Sequence, residues 1–414
     1  YAGPVLTCAI DIYDEAWCWG KSEHYNGGDE QWQTISHTPW KVRGGHKFVE
    51  LSIGWSNACG VVRSHTKHIL CWGERIVGAG FDSEDVTLPE PVAGAENFNM
   101  EGVAVGTKHA CGLHNDLIYC WGDNSKMQLI DDTITHSVEL RQVSSIPMRQ
   151  VACNWYTCCA VDKATNTSVH CWGENVHGET GVFSTFGTSA LNAVDNVGSK
   201  NVQVHVGQNF VCAHETDNHQ VRCWGKNNYA QLGQMKKESE SEPDLVIGFD
   251  PEDEVVDLAT GFFHVCVAMR GTNQSETVKC WGNNISKQHS GGGDTQDFWT
   301  VRSADDMTHL NALAAVNEIV ETRPVDHTIR VFESFVPTRK FNRLAGTADA
   351  VCVVADDDSV YCLENDTIEV EVVDDNSEVT ENVETVNEAE IKSDKEFEDY
   401  ATDVLKKSHP DDYD

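Results

Sequence analysis

The sequence predicts an all-β protein, a seven-bladed β-propeller with one disulfide inside each blade. Two observations carry this prediction. The triplet Cys-Trp-Gly occurs six times in the 414 residues, and each copy follows another cysteine at a separation of 9 to 14 residues. In most intervals the first cysteines of successive pairs lie about 52 residues apart, a period that suits one four-stranded blade per repeat.

Each cysteine pair brackets turn-forming residues that are flanked by residues of high β propensity, which predicts a β-hairpin. Residues that face each other across such a hairpin lie at the spacing that a disulfide requires. The seventh pair belongs to a degenerate repeat that has lost Trp-Gly. The predicted pairs are Cys8 with Cys18, Cys59 with Cys71, Cys111 with Cys120, Cys158 with Cys171, Cys212 with Cys223, Cys266 with Cys280, and Cys352 with Cys362.

Cys153 and Cys159 remain after these seven pairs, and we predict that they form an eighth disulfide. Cys153 stands where other repeats have glycine. Because Cys158 and Cys159 are adjacent, either can join Cys171, and the repeat register favours Cys158. A zinc site would favour close Cys-x-x-Cys pairs, which do not occur here. Sixteen disulfide-bonded cysteines indicate a secreted, extracellular protein.

Both ends of the predicted propeller, which spans residues 1–373, depart from the repeat. The chain begins at Tyr1, at the glycine position of blade one, so that blade lacks its first strand. The alternating segment from Thr367 to Val373 is predicted to be a strand that closes the ring. The alternative is that this strand, or the tail, pairs with a neighbouring molecule.

An insert of about 34 residues precedes the last blade and is placed within residues 285–341. It contains a capped segment with one apolar face, from Ser303 to Ile319, which predicts a helix. This helix either packs on the rim of the propeller or adds a partner-binding surface. Residues 374–414 form an acidic C-terminal tail with 15 acidic and 4 basic side chains.

The net charge of −36 would repel phosphate backbones and anionic lipid headgroups, so nucleic-acid and membrane-surface binding are disfavoured. No apolar segment is long enough to span a bilayer. The first residue is not Met and no signal peptide is present, which fits a mature secreted chain. N-linked glycans are predicted at four sequons, Asn166, Asn273, Asn284 and Asn365.

No nucleophile elbow, P-loop or metalloprotease motif is present, so we predict neither an enzyme nor a cofactor. Histidines such as His65 with His68, or His205 with His214 and His219, complete no known metal-ligand spacing, and we predict no metal site. A carbohydrate-binding protein would use exposed aromatic side chains. The candidates are Trp32, Trp40, Trp155 and Trp299.

The segment from Trp224 to Gly233, with the sequence WGKNNYAQLG, resembles the signature Trp-Gly-x-Asn-x-x-Gly-Gln-Leu-Gly of the repeat family named for the regulator of chromosome condensation. Partial matches follow Trp121, Trp172 and Trp281. The resemblance implies a seven-bladed propeller. The histidine of the family appears as His109 and His264, while Asn57, Tyr156 and Phe210 take its place in other repeats.

The cysteines in each hairpin are similar to those of an extracellular, disulfide-bearing branch of this family rather than to its nuclear members. We therefore predict a non-catalytic secreted propeller that acts as a structural or protein-interaction scaffold. Its partner would be another protein or further copies of itself, in a glycosylated surface or filamentous assembly. The alternative is a soluble recognition module, lectin-like or enzyme-inhibitor-like, and an enzyme with an unrecognised site is a third class.

Overall fold

The computed structural model describes residues 1–303, apart from 2, 4–5, 30–32, 65–67, 75–85, 96–97, 183–187, 235–237, 250–253, 271–275 and 284–297, and three further strands at 341–346, 351–355 and 360–363. All regular elements in these ranges are β-strands. Accordingly, no membrane-spanning helix is found in the described part of the chain. The described residues all lie in one compact unit, Tyr1–Thr367.

The strands form seven antiparallel sheets, five of four strands and two of three. We call the first six sheets blades one to six. Blade one contains β1 (Leu6–Ile10), β2 (Ala16–Glu23) and β3 (Gln33–Lys41). Blades two to six contain β4 (Phe48–Ile53), β5 (Asn57–Val62), β6 (Ile69–Gly73) and β7 (Val86–Pro91); β8 (Met100–Val105), β9 (His109–His114), β10 (Leu117–Asp123) and β11 (His136–Gln142); β12 (Met148–Asn154), β13 (Thr157–Asp162), β14 (Val169–Gly173) and β15 (Thr188–Val194); β16 (Val202–Gly207), β17 (Phe210–Glu215), β18 (Gln220–Gly225) and β19 (Glu240–Leu245); and β20 (Glu254–Thr260), β21 (His264–Arg270), β22 (Glu276–Gly282) and β23 (Phe298–Ser303). The last sheet contains β24 (Phe341–Gly346), β25 (Val351–Ala355) and β26 (Val360–Leu363).

Each four-stranded blade follows one path, with the repeat cysteines on its second and third strands. Because neighbouring strands are antiparallel, the turn between strands one and two and the loop between strands three and four lie at the same end of a blade. We call this end the turn face. The hairpin between strands two and three, which the repeat disulfide closes, lies at the opposite end, which we call the hairpin face.

The glycine of Cys-Trp-Gly forms a β-bulge in each of blades one to six. The pairing register with the next strand along the chain shifts between the cysteine and this glycine. The φ angles of these glycines lie between 98° and 104°. A Cβ at Gly73 would lie 2.3 Å from the Ser56 carbonyl oxygen, so both the backbone angle and the close approach require glycine.

The tryptophan of the triplet is buried between neighbouring blades, as predicted. In blades two, four, five and six, its indole N–H donates to a backbone carbonyl in the loop that precedes the last strand of the previous blade, which satisfies the one polar group of a large buried side chain. Four such bonds are Trp72 to Asn26 at 2.7 Å, and Trp172 to Gln128, Trp224 to Glu179 and Trp281 to Gln231 at 2.9 Å.

Blades one to six each carry a disulfide between the two strands that hold the repeat cysteines, which in blade one are β1 and β2. In blade four, however, the predicted partners are wrong. Cys159 joins Cys171, and Cys153 joins Cys158. The strand register gives the reason, because Cys159 faces Cys171 across β13 and β14, while Cys158 faces Cys153 across β12 and β13. The other described disulfides, all as predicted, are Cys8–Cys18, Cys59–Cys71, Cys111–Cys120, Cys212–Cys223 and Cys266–Cys280.

The same register shifts the repeat assignment in blade four by one residue. Thr157 faces Gly173, just as His109 faces Gly122 in blade three, so Thr157 and not Tyr156 takes the family histidine's place. Asn154, five residues before Cys159, consequently holds the position of the repeat glycine, and Cys153 does not.

The predicted all-β propeller is confirmed. Cys352 and Cys362 face each other across β25 and β26, but their side chains lie outside the described part of the structure, and their disulfide stays a prediction. A complete seventh blade also stays a prediction, because the last sheet has three described strands. In blade one, the residues before β1 pair with it through their backbone. Tyr1 and Cys8 exchange two hydrogen bonds, and the Gly3 N–H donates to the Leu6 carbonyl.

The predicted insert begins too early. Residues 298–303 form β23, whose backbone pairs with β22 as the fourth strand of blade six. An insert of the predicted length therefore has to fall after Ser303, before β24 begins at Phe341. The predicted helix starts on the last residue of β23, and the rest of it lies outside the described residues. So do the predicted closing strand at 367–373 and the tail at 374–414.

Candidate functional site

The first strands of blades two to six surround a central channel. They line a cavity of about 310 Å³ together with Gly3 of blade one. Side chains reach between neighbouring first strands and fix their spacing. Gln150 on β12 donates to the Val204 carbonyl at 2.9 Å and accepts the Val204 N–H at 3.0 Å. These bonds connect neighbouring walls of the channel.

Five short turns between first and second strands surround one mouth of this channel, on the turn face. In each of blades two to six, the residue after Trp-Gly donates its backbone N–H to the carbonyl of the second residue of the turn. Examples are the bond from Glu174 to the Tyr156 carbonyl at 3.0 Å and that from Asn283 to the Phe263 carbonyl at 2.8 Å. The first residues of the five turns are Trp55, Thr107, Trp155, Gln208 and Phe262.

Three of these residues, Trp55, Trp155 and Phe262, meet at the mouth although they come from blades two, four and six. The rings of Trp55 and Phe262 are stacked at 5.5 Å, and the ring of Trp155 contacts that of Phe262 edge-on at 6.0 Å. Both tryptophans are half-buried, while Phe262 is buried. We call these three residues the aromatic mouth. It offers a partly exposed apolar surface at the centre of the turn face.

Polar groups lie directly beside the aromatic mouth. The Gln208 side chain is fully buried, and both atoms of its amide lack a hydrogen-bond partner among the described residues. Asn57 is satisfied on its donor side, since its amide donates to the Thr107 carbonyl at 2.7 Å. Because an unpaired buried amide is costly, Gln208 is a candidate for a hydrogen bond to a bound group.

Two buried carboxylates, Glu174 and Glu179, lie in the loop of blade four on the turn face. One amide group bridges them, since the Asn209 side chain donates to Glu174 at 2.9 Å and to Glu179 at 3.0 Å. Lys126 pairs with Glu174 at 3.0 Å. Burial raises the pKa of Glu179 to about 7 against these hydrogen bonds.

The boundary between blades three and four holds two disulfides in contact. The Sγ atoms of Cys111 and Cys158 are 3.7 Å apart, and His109 Nε2 lies 3.1 Å from Cys158 Sγ. Within the described residues, only His109, Cys153 and Cys158 bring three potential metal-ligand atoms within 4.8 Å of one another. The histidines singled out in the sequence, His205 with His214 and His219, form no such group there.

Both histidines at the family position, His109 and His264, are buried on the second strand of their blades. Burial lowers the pKa of each to about 4. Burial also lowers the pKa of His205, which lines the channel, to about 3, and that of His214 to about 4. These imidazoles are neutral at pH 7.

Of the four predicted glycosylation sites, the structure describes Asn166. It lies in the turn between β13 and β14, on the hairpin face, with a half-buried side chain that makes no hydrogen bond to the described part of the chain. This placement suits a glycan. Asn273, Asn284 and Asn365 lie outside the described residues.

Among the tryptophans proposed for recognition, Trp155 belongs to the aromatic mouth, while the Trp40 indole donates to the Gly27 carbonyl within blade one. Trp32 and the side chain of Trp299 lie outside the described residues. Trp55 and Phe262 were not predicted from the sequence to take part in recognition. The signal was available, because each of the three aromatic residues stands four positions before the second-strand cysteine of its blade.

Residues 218–268 match the family model of the regulator of chromosome condensation (RCC1) repeat. The fold has similar counterparts among solved structures. Prp20p from Saccharomyces cerevisiae has a TM-score of 0.65 and 16% identity, covering 83% of this chain and 79% of that one. Human WBSCR16 has a TM-score of 0.66 and 16% identity, covering 84% and 88%.

The chain has the fold of an RCC1-like propeller.

Two characterised proteins contain segments that are similar in sequence to part of this chain. The ultraviolet-B receptor UVR8 of Arabidopsis thaliana is 26% identical over 191 residues, which are 44% of this chain and 42% of the receptor. The human E3 ubiquitin-protein ligase HERC2 is 24% identical over 234 residues, which are 55% of this chain and 5% of the ligase. The matched segments thus span less than half of either protein.

Proposed function

We propose that this chain is a non-catalytic protein-interaction scaffold that binds a protein partner on its turn face. The observation that carries the proposal is the aromatic mouth, in which Trp55, Trp155 and Phe262 from three blades converge at the mouth of the channel. Tryptophan is enriched among the residues that dominate binding energy at the centres of protein interfaces.

Other solved propellers of this shape bind proteins. Yeast RCC1 (Prp20) was solved with Kap60, and Prp20p was described together with its binding to Gsp1p and histones. For this chain, the net charge of −36 favours a partner with a basic surface, because opposite charges steer the encounter. The partner's central contact would place an apolar side chain on the half-buried tryptophans and a polar group within reach of Gln208.

The test compares two variants on opposite faces. Trp155→Ala removes part of the aromatic mouth, whereas Tyr13→Ala removes an exposed ring from the hairpin between β1 and β2. Quantitative affinity capture from the native source should recover a protein whose binding falls about tenfold or more with Trp155→Ala and is unchanged with Tyr13→Ala. Binding that depends on neither ring, or equally on both, would contradict the proposed face.

A second copy of the chain is one such partner, in a surface or filamentous assembly. Light scattering on native material distinguishes this case. Oligomers that Trp155→Ala dissociates would identify self-assembly through the turn face. A strictly monomeric native chain would exclude it and leave a different protein as the partner.

We also propose that the chain is extracellular and glycosylated. The disulfides support an oxidising compartment, and Asn166 on the hairpin face would keep a glycan away from the aromatic mouth. Alkylation of the native chain before lysis should find its cysteines oxidised, and glycosidase treatment should reduce its mass unless Asn166 and the other three sequons carry Asn→Gln. Reduced thiols in native material would overturn the compartment.

Finally, we propose that β24 to β26 belong to a seventh blade that completes the ring. The three strands repeat the order of the first three strands of a blade, and Cys352 faces Cys362. If the blade forms, thiol titration of the denatured, unreduced chain should find no free cysteine. Cys362→Ser should then release one thiol, that of Cys352.

A further inference from the structure

The disulfide Cys153–Cys158 stands apart from the repeat. It joins the first and second strands of blade four, with four residues between the two cysteines. The other described disulfides join the two strands that carry the repeat cysteines, which are the second and third of a four-stranded blade and β1 and β2 in blade one. Cys159–Cys171 already supplies the disulfide that blade four shares with the rest of the propeller. The extra pair is therefore not needed for the repeat pattern.

This disulfide is also the most accessible one in the described structure. Cys153 is half-buried and lines the central cavity. The other described cysteines are at most 3% exposed. Because thiol–disulfide exchange depends on access to a sulfur atom, a small reductant that enters the channel reaches Cys153 first.

His109 completes the group from the neighbouring blade. Its Nε2 lies 3.1 Å from Cys158 Sγ, and the three ligand atoms of His109, Cys153 and Cys158 lie within 4.8 Å of one another. Its Nδ1 is buried without a hydrogen-bond partner in the described structure, so no contact to that atom holds the ring in another orientation. His109 is on β9 of blade three, while Cys153 and Cys158 are on β12 and β13 of blade four, so folding alone brings the ligands together.

We propose that reduction converts this disulfide into a Zn²⁺ site formed by Cys153, Cys158 and His109. Two molecules of a thiol reduce the disulfide and become a disulfide themselves, and their two protons complete the cysteine thiols. With a phosphine, one water molecule supplies the oxygen of the phosphine oxide and the two protons. Zn²⁺ then binds two thiolates and one neutral imidazole, with release of two protons. With three protein ligands, a tetrahedral ion keeps a fourth position for water or another ligand.

The first test is selective reduction. Limited treatment of the full chain with a phosphine, followed by alkylation and peptide mapping, should label Cys153 and Cys158 before any other cysteine. Zn²⁺ titrated against a chromogenic chelator should then bind with one equivalent per chain, and Co²⁺ should give a thiolate-to-cobalt charge-transfer band. The untreated, oxidised chain should bind neither ion at this site.

The variants separate a site from adventitious thiol binding. Cys153→Ser and His109→Gln should each lower Zn²⁺ affinity more than about tenfold, because even the loss of an outer-sphere contact costs that much. His264→Gln, at the equivalent position of blade six, is the control and should leave Zn²⁺ affinity unchanged. Circular dichroism identifies a variant that fails to fold, and Cys153→Ser, in a half-buried position, is the less disruptive of the two.

Three results would overturn the proposal. The first is reduction of a repeat disulfide before Cys153–Cys158, or unfolding as soon as this pair opens. The second is a reduced, folded chain that binds no stoichiometric Zn²⁺. The third is Zn²⁺ binding that is insensitive to both Cys153→Ser and His109→Gln.

Discussion

Glu179 holds, in blade four, the position that glutamine holds in blades three and five. In blade three, Gln128 accepts the Lys126 N–H and donates to Asp123. Glu179 accepts the N–H of His177 in the same way at 2.6 Å, but an ionised carboxylate cannot donate to the residue after Trp-Gly, which here is also a glutamate. The loop of blade four therefore contains a buried acid that is most stable when protonated.

We predict that Glu179→Gln stabilises the protein at neutral pH. Because folding raises the pKa of Glu179 from 4.5 to about 7, its contribution to the free energy of unfolding is largest below pH 4.5 and is lost as pH rises through 7. This loss is worth about 3 kcal/mol by linkage. Denaturant unfolding at pH 7.5 should show a gain of about 1–3 kcal/mol for Glu179→Gln, and a smaller gain at pH 5.5.

Glu174→Gln is the matched control. It removes the ion pair with Lys126 and also the charge of Glu174, which is the smallest of the causes that act on the pKa of Glu179, so its gain at pH 7.5 should be clearly smaller than that of Glu179→Gln. Equal effects of the two substitutions would show that the loop tolerates any neutral side chain and would contradict the special role of Glu179.

The disulfides of blade four give a second prediction at the scale of single residues. In the structure, Cys153→Ser releases the thiol of Cys158, because these two residues are partners. The pairing expected from the sequence would release Cys159 instead. Alkylation without reduction, followed by fragmentation between residues 158 and 159, identifies the labelled residue and should find it to be Cys158.

Residue identity alone could not decide this pairing, because two adjacent cysteines satisfy the same spacing rule. The decision comes from which one faces Cys171 across β13 and β14, and a shift of one residue turns a side chain to the other face of the sheet. Cys153 pairs with the cysteine that this register turns away from Cys171.

Between elements, the tryptophan bonds are the regular connection from blade to blade. In the bond from Trp224 to the Glu179 carbonyl, a fully buried indole of blade five satisfies the loop of blade four. The same donor and the same loop position recur for Trp172 and Trp281. At these boundaries the tryptophan adds a directional hydrogen bond to the apolar contact between neighbouring blades.

We predict that Trp224→Phe destabilises the protein by about 2–4 kcal/mol, through the loss of buried apolar volume and an unpaired buried carbonyl. Trp40→Phe is the control, because the Trp40 bond to Gly27 stays within blade one and the side chain is partly exposed. Thermal unfolding should rank Trp224→Phe well below Trp40→Phe. Equal losses would mean that the inter-blade bond contributes little.

Most strands were predictable, because hairpin signals and the Cys-Trp-Gly period are local. The fourth strand of blade six was not, because the excess length before the last repeat does not indicate where the insert begins, and residues 298–303 fall within the range assigned to it. The bulge at each Trp-Gly is likewise fixed by contacts between strands and not by the triplet itself.

For the whole molecule, the buried histidines predict acid unfolding. Burial lowers the pKa of His109, His214 and His264 to about 4 and that of His205 to about 3. The histidines of the unfolded chain bind protons near pH 6.5, whereas those of the folded chain stay neutral until pH nears 4. Their contribution to the free energy of unfolding is therefore fully present above pH 6.5 and is lost as pH drops towards 4. Four such groups give a slope of up to about 5 kcal/mol per pH unit.

Equilibrium unfolding measured from pH 7 to pH 4 checks this prediction. Glu179 acts in the opposite direction, but it is one group against four. A free energy of unfolding that stays flat or rises between pH 6.5 and pH 4.5 would mean that the histidines gain protons without unfolding.

The propeller itself could be predicted from the sequence because every blade repeats the same signals. The aromatic mouth could not, because Trp55, Trp155 and Phe262 are about a hundred residues apart in sequence and meet only when blades two, four and six surround one channel. An alignment of repeat positions would have found their common offset, yet only the ring geometry shows that they touch.

The repeat disulfides also set how the chain responds to a pulling force. Each described one closes a loop of 9 to 14 residues, which cannot extend while the bond is intact. At roughly 3.4 Å per residue, each closed loop shortens the extended length of an unfolded blade by roughly 30–50 Å. An oxidised chain therefore yields to tension in shorter steps than a reduced one, a property suited to a tether that must lengthen little before it breaks.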